Sequence, residues 1–452
     1  MTGRRLLGLG LFLTVTIAAF EVTAIITALP TIVDELDGTS LYGAALAANM
    51  LSSIVAIVAA GEYADRHGPV RPFVASAVVY VVGLSVAGAA GSMIVVVLGR
   101  VLQGLGAGGF ATLPYVAIRR AFPDAEQPKM YAVLSAAWVL PSLVAPLIAG
   151  AITDRFGWRW VFLAMIPLTV AVSTIVIDRL RRLPALPNDD AHDADHRGSA
   201  VSRTPQALQL ACGAGIVLLG AAQSRIIVAA GLVGVGITVA ALPLRRLLPT
   251  GWMHARPGLP AAVAARMCAT AAFSGVDGFV PLAADRIHEV GPTAQGSVII
   301  GAALAWTAGQ AYAARVAGSA RPARLVRAGF LLMALGAVLV APVVWRATPL
   351  WTTFLAWSVG GLGMGLLFNP TTVVALSSVN ESRAGITSSQ LSMADSLGFA
   401  TTSAVGGALI AASERGSFSL QTALLCSFAM TVAIALFGSV VGRSVRLVPS
   451  PR

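Results

Sequence analysis

Hydrophobic residues in this chain occur in long uninterrupted runs, separated by short polar or basic stretches. A helix needs about twenty mostly apolar residues to cross the hydrocarbon layer of a bilayer, whereas a membrane-spanning strand alternates over about ten residues. The runs therefore predict helices, because they are long and do not alternate. Fourteen spans are predicted, at residues 6–33, 41–61, 71–93, 95–118, 130–152, 160–180, 206–223, 226–247, 260–283, 294–314, 324–345, 350–376, 385–411 and 418–441.

Composition supports the same class. The 452 residues are 56% hydrophobic and only 11% charged, with a mean hydropathy of +0.80. A soluble domain carries about 25% charged residues, so this chain has too little polar surface to cover a water-soluble globule. The first run is too long for a signal peptide and carries Glu21 and Pro30, so we expect it to be retained as a span. We expect an all-α polytopic membrane protein.

The net charge of +11 is spread over the short loops rather than clustered on one face. This distribution argues against a nucleic-acid partner and fits the positive-inside rule. With most basic loops assigned to one side, the even number of spans predicts a multi-pass protein of the bacterial cytoplasmic (inner) membrane with both termini in the cytoplasm. A twelve-span alternative, with residues 206–247 outside the bilayer, would leave a long apolar stretch in water and is rejected.

One hydrophilic stretch, residues 184–205, interrupts the pattern with several Asp and His residues. A metal site is one interpretation, but a solvated cytoplasmic linker is favoured. Cys212, Cys268 and Cys426 each lie alone in an apolar run, so no metal or disulfide is expected. The predicted organisation is a six-helix bundle at 1–183, the linker at 184–205, two inserted helices at 206–250 and a second six-helix bundle at 251–452.

An internal repeat motivates this division. Residues 63–66 read Tyr-Ala-Asp-Arg after span 2, and residues 312–315 read Tyr-Ala-Ala-Arg after span 10. Both copies precede a Gly and further Arg residues, and many transporters are built from repeated halves. The second six-helix unit then starts at span 9, which makes spans 7 and 8 an insertion.

Residues 61–71 resemble the loop signature of the major facilitator superfamily, Gly-x-x-x-Asp-Arg-x-Gly-x-x-Arg. A carboxylate at the end of one helix can accept bonds from the N-terminus of a neighbouring helix, and arginines beside it can pair with acids. We expect a conformational latch on the cytoplasmic side. Ala314 replaces the acid in the second copy, so its latch is expected to be weaker. The latch residues are Gly61, Asp65, Arg66, Gly68 and Arg71.

Three further segments resemble the fourteen-helix drug–proton antiporter branch of that superfamily. They are residues 21–30 in span 1, Arg100 to Gly108 in span 4 (Arg-x-x-Gln-Gly-x-Gly), and residues 158–162 at the entry to span 6. The resemblance covers most of residues 10–170. In span 5 the branch signature Gly-Pro-x-x-Gly-Gly is replaced by Ala-Pro-Leu-Ile-Ala-Gly at residues 145–150, and export direction rests partly on that motif.

Four ionisable residues remain inside the predicted spans as functional candidates: Glu21, Arg100, Asp277 and Asp395. Such groups are costly in lipid and usually mark a polar path or a proton relay. Glu21 lies about fifteen residues into span 1, near the midplane. Burial and a nearby cation shift the proton affinity of an acid in opposite directions, so Glu21 is expected to bind and release a proton, with Arg100 tuning it. A structural role, with each group paired to a helix end or a polar neighbour, is the alternative.

The substrate cavity is predicted from polar and aromatic positions in the same spans. Residues 388–396 are unusually polar for a membrane helix, and Asn369 precedes Pro370 after a glycine-rich run. We expect these glycines to permit close helix packing rather than to have a functional role. The predicted cavity residues are Thr23, Gln103, Trp138, Phe273, Asn369 and Ser392.

These observations predict a proton-coupled exporter of amphipathic or hydrophobic small molecules, working as a monomer in the bilayer. No nucleotide-binding loop and no nucleophile–base pair can be recognised, so we expect neither an enzyme nor a cofactor. Two alternatives stay open: an importer or lipid and metabolite transporter of the same fold, and a non-transporting membrane sensor or assembly protein. The substrate, the proton stoichiometry and the role of the inserted helices do not follow from the sequence.

Overall fold

The computed structural model describes residues 2–123, 126–183, 202–221, 223, 226–316, 321–379 and 384–447. Most of the hydrophilic linker and its Asp and His residues lie outside this part. The described residues form helices joined by short loops, with no strand among them. This architecture confirms the predicted all-α polytopic fold.

The first half of the chain contains α1 to α8. Span 6 is formed by a short helix, α7, followed by α8. The bounds are α1 (Thr2–Glu35), α2 (Tyr42–His67), α3 (Val70–Gly88), α4 (Met93–Ala121), α5 (Gln127–Ala136), α6 (Val139–Phe156), α7 (Arg159–Leu163) and α8 (Met165–Arg181).

The inserted pair consists of α9 (Thr204–Ala221) and α10 (Ile226–Leu247). The second half contains α11 to α17. Its bounds are α11 (Leu259–Asp277), α12 (Val280–Arg286), α13 (Pro292–Arg315), α14 (Pro322–Val340), α15 (Leu350–Ser377), α16 (Ala384–Glu414) and α17 (Leu420–Val441).

Twelve spans in the described chain are long and apolar enough to cross a membrane, and Thr204–Gly220 forms a shorter apolar helix. The remaining predicted segment, span 5, corresponds to the broken pair α5 and α6. Each of the fourteen predicted segments thus coincides with helical structure.

Three predicted spans, 5, 6 and 9, are broken rather than continuous, and in spans 5 and 9 a proline lies just after the break. Pro141 has no N–H to donate to the carbonyl of Ala137, so α6 starts anew after α5. Pro281 likewise cannot bond the carbonyl of Asp277, and the chain passes through Gly278 into α12. The carbonyl of Gly278 instead accepts a hydrogen bond of 2.8 Å from the Tyr42 hydroxyl. The break in span 9 therefore links the two halves.

The two halves contact each other at the end of the bundle that carries residues 35–41 and 286–292, which we call the distal end. The opposite end, with residues 2–5 and 443–447, is the terminal end. The backbones of α2 and α16 approach most closely at Gly43, where a Cβ atom would collide with Gly407 and the Ser403 carbonyl. Small residues at such a crossing allow close van der Waals packing between membrane helices.

Polar contacts reinforce the distal contact. Arg286 of α12 forms an ion pair with Asp34 of α1. The backbone N–H of Thr293, in the first turn of α13, donates to the Asp154 carboxylate of α6 at 3.1 Å. Together with the Tyr42–Gly278 bond, these contacts hold the distal end closed in this structure.

Enlarging Gly43 is expected to separate the halves at the distal end. In Gly43→Val the new side chain meets backbone atoms that cannot move aside, and overpacking costs about 1–3 kcal/mol. Thermal unfolding of purified protein, followed by tryptophan fluorescence, should show a midpoint several degrees lower. Gly91→Val is the matched control, because a Cβ atom there has no neighbour within 4 Å. Equal midpoints for the two variants would contradict the tight crossing.

Candidate functional site

The first half contains an ion pair inside the helix bundle. Glu21 of α1 and Arg100 of α4 are only 3% and 1% exposed, and their side chains form a salt bridge. Arg100 also donates to the Gln103 side-chain oxygen at 2.8 Å and to the Ala45 carbonyl at 3.2 Å. The Asn49 amide lies 3.5 Å from the second Glu21 oxygen. A charge at this depth is tolerated because it is paired and hydrogen-bonded.

Close packing of α4 against α2 completes this cluster. A Cβ atom at Gly104 would collide with the Asn49 carbonyl and the Ser52 hydroxyl, so only glycine permits the observed approach. The approach brings the Ala45 carbonyl and the Asn49 amide of α2 to the ion pair. The glycines after Arg100 thus have the packing role expected for them, and this packing positions polar groups.

Two residues predicted for the substrate cavity lie near this pair. Gln103 is fully buried and joins Arg100 to the Gly83 carbonyl, to which it donates at 3.3 Å. The structure places Gln103 in the polar cluster of Arg100. Thr23 is half-buried, and its hydroxyl bonds the carbonyls of Ala19 and Phe20 in its own helix.

The second half contains another ion pair between helices. Arg266 of α11, only 4% exposed, binds both carboxylate oxygens of Asp395 in α16. Thr270 donates to the same carboxylate at 2.9 Å, and Arg266 reaches the Thr372 hydroxyl at 2.9 Å. The Asp395 side chain is 26% exposed, against 5% for that of Arg266. The acid is therefore the more accessible member of this pair.

Of this pair, Asp395 was predicted from the sequence as a functional residue and Arg266 was not. The available signal was Arg266 as the one basic residue of predicted span 9, residues 260–283. Such a residue in lipid almost always pairs with an acid or with backbone carbonyls. The identity of the partner depends on how α11 packs against α16, and periodicity does not give that packing.

Four aromatic rings from three helices of the second half form a cluster, which we call the aromatic wall. Phe273 lies 5.3 Å from Trp306 and 5.2 Å from Trp357, and Trp306 lies 5.5 Å from Phe368, measured between ring centroids. The wall joins the second ion pair to Asp277. The Arg266 guanidinium stands 3.5 Å from the Phe368 ring centroid, and the Trp357 N–H donates to Asp277 at 2.9 Å.

The remaining predicted cavity residues are scattered. Asn369 and Ser392 are half-buried, each within one turn of a residue of the second ion-pair cluster. Trp138 is 47% exposed and lies at the break between α5 and α6. Through Trp306, Phe368 and Arg266 the structure links Phe273 to Asp395, and Asn369 and Ser392 lie on the same helices as members of this network. It brings Glu21, Arg100 and Gln103 together in the first half.

The predicted latch loop lies at the terminal end. Gly68 ends α2 with a φ of 85°, a left-handed conformation that favours glycine, and its N–H bonds the Ala64 carbonyl at 2.9 Å. Asp65, Arg66 and Arg71 are exposed, whereas Gly61 is half-buried. The loop geometry therefore explains the glycine at position 68.

The described residues form a helical membrane protein with two ion pairs between its helices. The family model of the Major Facilitator Superfamily matches residues 11–264, and the chain belongs to that superfamily. This is a family of membrane transporters and not of enzymes.

Relatives in the superfamily differ in how much of the chain they match. A probable multidrug-efflux transporter of Mycobacterium tuberculosis is 25% identical and covers 96% of this chain and 94% of its own length. An uncharacterized MFS-type transporter of the same species is 33% identical over 187 residues. That match covers 41% of this chain and only 27% of the relative, so the chain spans about a quarter of that protein.

Solved structures agree on the fold. An auto inhibited POT family peptide transporter superimposes with a TM-score of 0.69 at 15% identity, covering 99% of this chain and 98% of its own. The POT family transporter PepTSo gives 0.69 at 14% identity, covering 97% and 98%. At these identities the likeness shows the fold alone.

Removing one member of the second ion pair is expected to destabilise the protein. In Arg266→Met the Asp395 carboxylate loses its cation, and because this carboxylate is partly exposed we expect a cost below the value of about 3–5 kcal/mol for a fully buried pair. The double variant Arg266→Met/Asp395→Leu leaves no unpaired charge and should recover most of the loss in thermal stability. Arg346→Met is the control, because its salt bridge with Glu289 is exposed. A double variant no more stable than the single one would contradict this account.

Proposed function

We propose that this chain is a proton-coupled exporter that moves amphipathic or hydrophobic small molecules by alternating access. Membership of the superfamily supports transport, and the near full-length relative is described as a probable multidrug-efflux transporter. An MFS-type efflux pump of a Fusarium species, 29% identical over 174 residues, adds support for export. The fourteen helical segments are compatible with the drug–proton antiporter branch.

The orientation in the membrane is part of the proposal. The basic residues of the loops favour a terminal end in the cytoplasm of a bacterial cell, with the distal end facing outward. In this orientation, the structure corresponds to a conformation closed toward the outside. The substrate then enters from the cytoplasm, and the protein works as a monomer.

The single observation that carries proton coupling is the buried ion pair of Glu21 and Arg100. Arg100 stays protonated in practice, so only the acid can change its charge. A proton on Glu21 removes the attraction that holds α1 to α4 through this pair, and loss of the proton restores it. Because the Glu21 side chain is sealed from solvent here, the mechanism requires that rocking of the two halves opens a water path to it in another conformation.

The substrate is proposed to bind against the second half. The half-buried rings of Phe273, Trp306 and Phe368 offer apolar surface, and the partly exposed Asp395 carboxylate offers a negative charge. Aromatic faces and an acid together attract a cation with a flat apolar body. Asp277, at the other end of the aromatic wall, is a second acid available for a proton or a cation. Thr23, Asn369 and Ser392 complete the proposed lining.

The latch at Gly61, Asp65, Arg66, Gly68 and Arg71 is proposed to stabilise one conformation at the cytoplasmic side. Asp65 and Arg66 lie in the last turn of α2, where the arginine interacts favourably with the helix dipole, and Arg71 lies in the first turn of α3.

An importer or a lipid and metabolite transporter remains the second candidate. The observation that favours it is the loss of two glycines from the span 5 signature, at Ala145 and Ala149. Both alanines are fully buried, so the substitution alters the packed core of α6. The direction of transport under an imposed pH gradient separates the two candidates.

Proton-driven transport is expected to depend on Glu21. In everted vesicles with an acidic interior, the native protein should accumulate a lipophilic cation dye, and Glu21→Gln should reduce accumulation to that of empty vesicles. Glu414→Gln, at an exposed distal position, is the control and should behave as the native protein. Proton-dependent accumulation by Glu21→Gln would overturn the coupling mechanism, and uptake only with the opposite gradient would favour import.

The aromatic wall is expected to select cations. Tetraphenylphosphonium and tetraphenylborate have the same shape and opposite charge, so their affinities isolate the effect of charge. The cation should bind purified protein more tightly than the anion, and Trp306→Ala should weaken cation binding about tenfold. Trp345→Ala, which removes a ring 51% exposed outside the wall, is the control. Equal affinity for both ions, or an equal effect of both variants, would contradict the proposed site.

A further inference from the structure

The inserted pair makes polar contacts with the first half through Glu62, which belongs to the latch segment 61–71 and lies near the C-terminal end of α2. The Glu62 carboxylate accepts hydrogen bonds from the Ser202 hydroxyl at 2.6 Å, the backbone N–H of Arg203 at 2.5 Å and the Thr204 hydroxyl at 2.8 Å. These donors lie at the start of α9, where unpaired N–H groups and the helix dipole favour a negative charge. Glu62 therefore caps a helix that belongs to the insertion.

The C-terminal end of the inserted pair, at the end of α10, is bonded to the second half. The Gln390 side-chain N–H of α16 donates to the carbonyl of Leu247, the last residue of α10, at 2.9 Å. Carbonyls in the last turn of a helix lack intrahelical partners, so this bond satisfies one of them. Each end of the pair is thus capped by a side chain from a different half of the transporter.

The inserted pair is itself tightly packed. Cβ atoms at Gly213 and Gly236 would collide with backbone atoms of the opposite helix, so α9 and α10 lie backbone to backbone. Such packing makes the pair one stiff unit. A displacement at the start of α9 is then transmitted to the last turn of α10.

The two anchoring helices, α2 and α16, also contact each other directly at the distal end, at Gly43 and Gly407. Glu62 and Gln390 lie toward the opposite ends of these helices. When the halves rock so that the distal contact opens, the separation of Glu62 and Gln390 at the opposite end changes. A stiff unit bonded to both residues cannot follow that change without breaking a bond.

We infer that the inserted pair is a brace between the two halves and that Glu62 and Gln390 are the positioning residues that attach it. The brace stabilises the distally closed conformation relative to the alternative, and so sets the equilibrium between the two. This inference rests on the proposed alternating access, but it needs neither proton coupling nor a particular substrate. It also gives the latch loop a second function, which is to hold the brace.

The test measures the conformational equilibrium directly. Spin labels at Gly91 and Ala347, both exposed near the distal end and in different halves, report opening as an increase in their distance. The natural cysteines Cys212, Cys268 and Cys426 are replaced by serine in all samples, because two of them are exposed. Pulsed electron-spin measurements are made in lipid nanodiscs without substrate or a pH gradient.

Loss of either attachment is expected to favour distal opening. Glu62→Ala and Gln390→Leu should each increase the population with the longer label distance about tenfold, because each removes the bonds at one end of the brace. Glu62→Gln keeps the size of the side chain and should give a smaller shift. Glu126→Ala is the control, since it removes an exposed acid from a terminal-end loop and should change nothing.

The double variant decides whether the two bonds act in series. Once one attachment is broken, the other no longer restrains the two halves. Glu62→Ala/Gln390→Leu should therefore shift the distances no further than either single variant. Additive shifts would overturn the brace and leave two independent helix caps. Distances unchanged in every variant would also overturn it. Failure of the Glu21 transport experiment with the distance shifts intact would refute proton coupling and leave the brace standing.

Discussion

The cost of a charge in a low-dielectric environment is the constraint on which this structure depends. A lone arginine or acid inside a bilayer costs at least a few kcal/mol, so each must find a partner on another helix. In the first half Glu21 and Arg100 join α1 to α4, and in the second Arg266 and Asp395 join α11 to α16. These pairs fix which faces of the helices point inward.

The two halves place the acid and the cation of the ion pair on different helices. The first helix of the first half carries the acid, Glu21, whereas the corresponding first helix of the second half, α11, carries the cation, Arg266. The first pair is sealed, but the acid of the second is partly exposed beside aromatic rings. The first half therefore carries a shielded acid and the second an accessible one. This difference fits separate sites for a proton and a substrate.

Hydropathy was sufficient to predict where the helices lie. Inside a bilayer there is no water to bond the backbone, so each apolar run must form its own backbone hydrogen bonds as a helix. The contacts between helices were harder to predict. Gln103 was expected to line a cavity, and its hydrogen bond with Arg100 was not predicted, nor was the pairing of Arg266 with Asp395. Both depend on the rotation and crossing of helices, which small residues such as Gly104 decide. The continuous helix expected for span 5 was wrong because Pro141 removes a backbone donor at a position where hydropathy shows no change.

Alternating access requires that two conformations differ little in free energy, and the contacts between the halves suit that requirement. The distal end is closed by backbone contact at glycines, by the Tyr42–Gly278 bond and by the partly exposed pair of Asp34 and Arg286. Exposed ion pairs contribute little, about 0–1 kcal/mol, and single hydrogen bonds about 0.5–1.5 kcal/mol. Within each half, by contrast, the buried pairs cannot separate without leaving charges uncompensated. The energies therefore favour two stiff halves joined by weak contacts, and a few bonds at the terminal end are enough to bias their equilibrium.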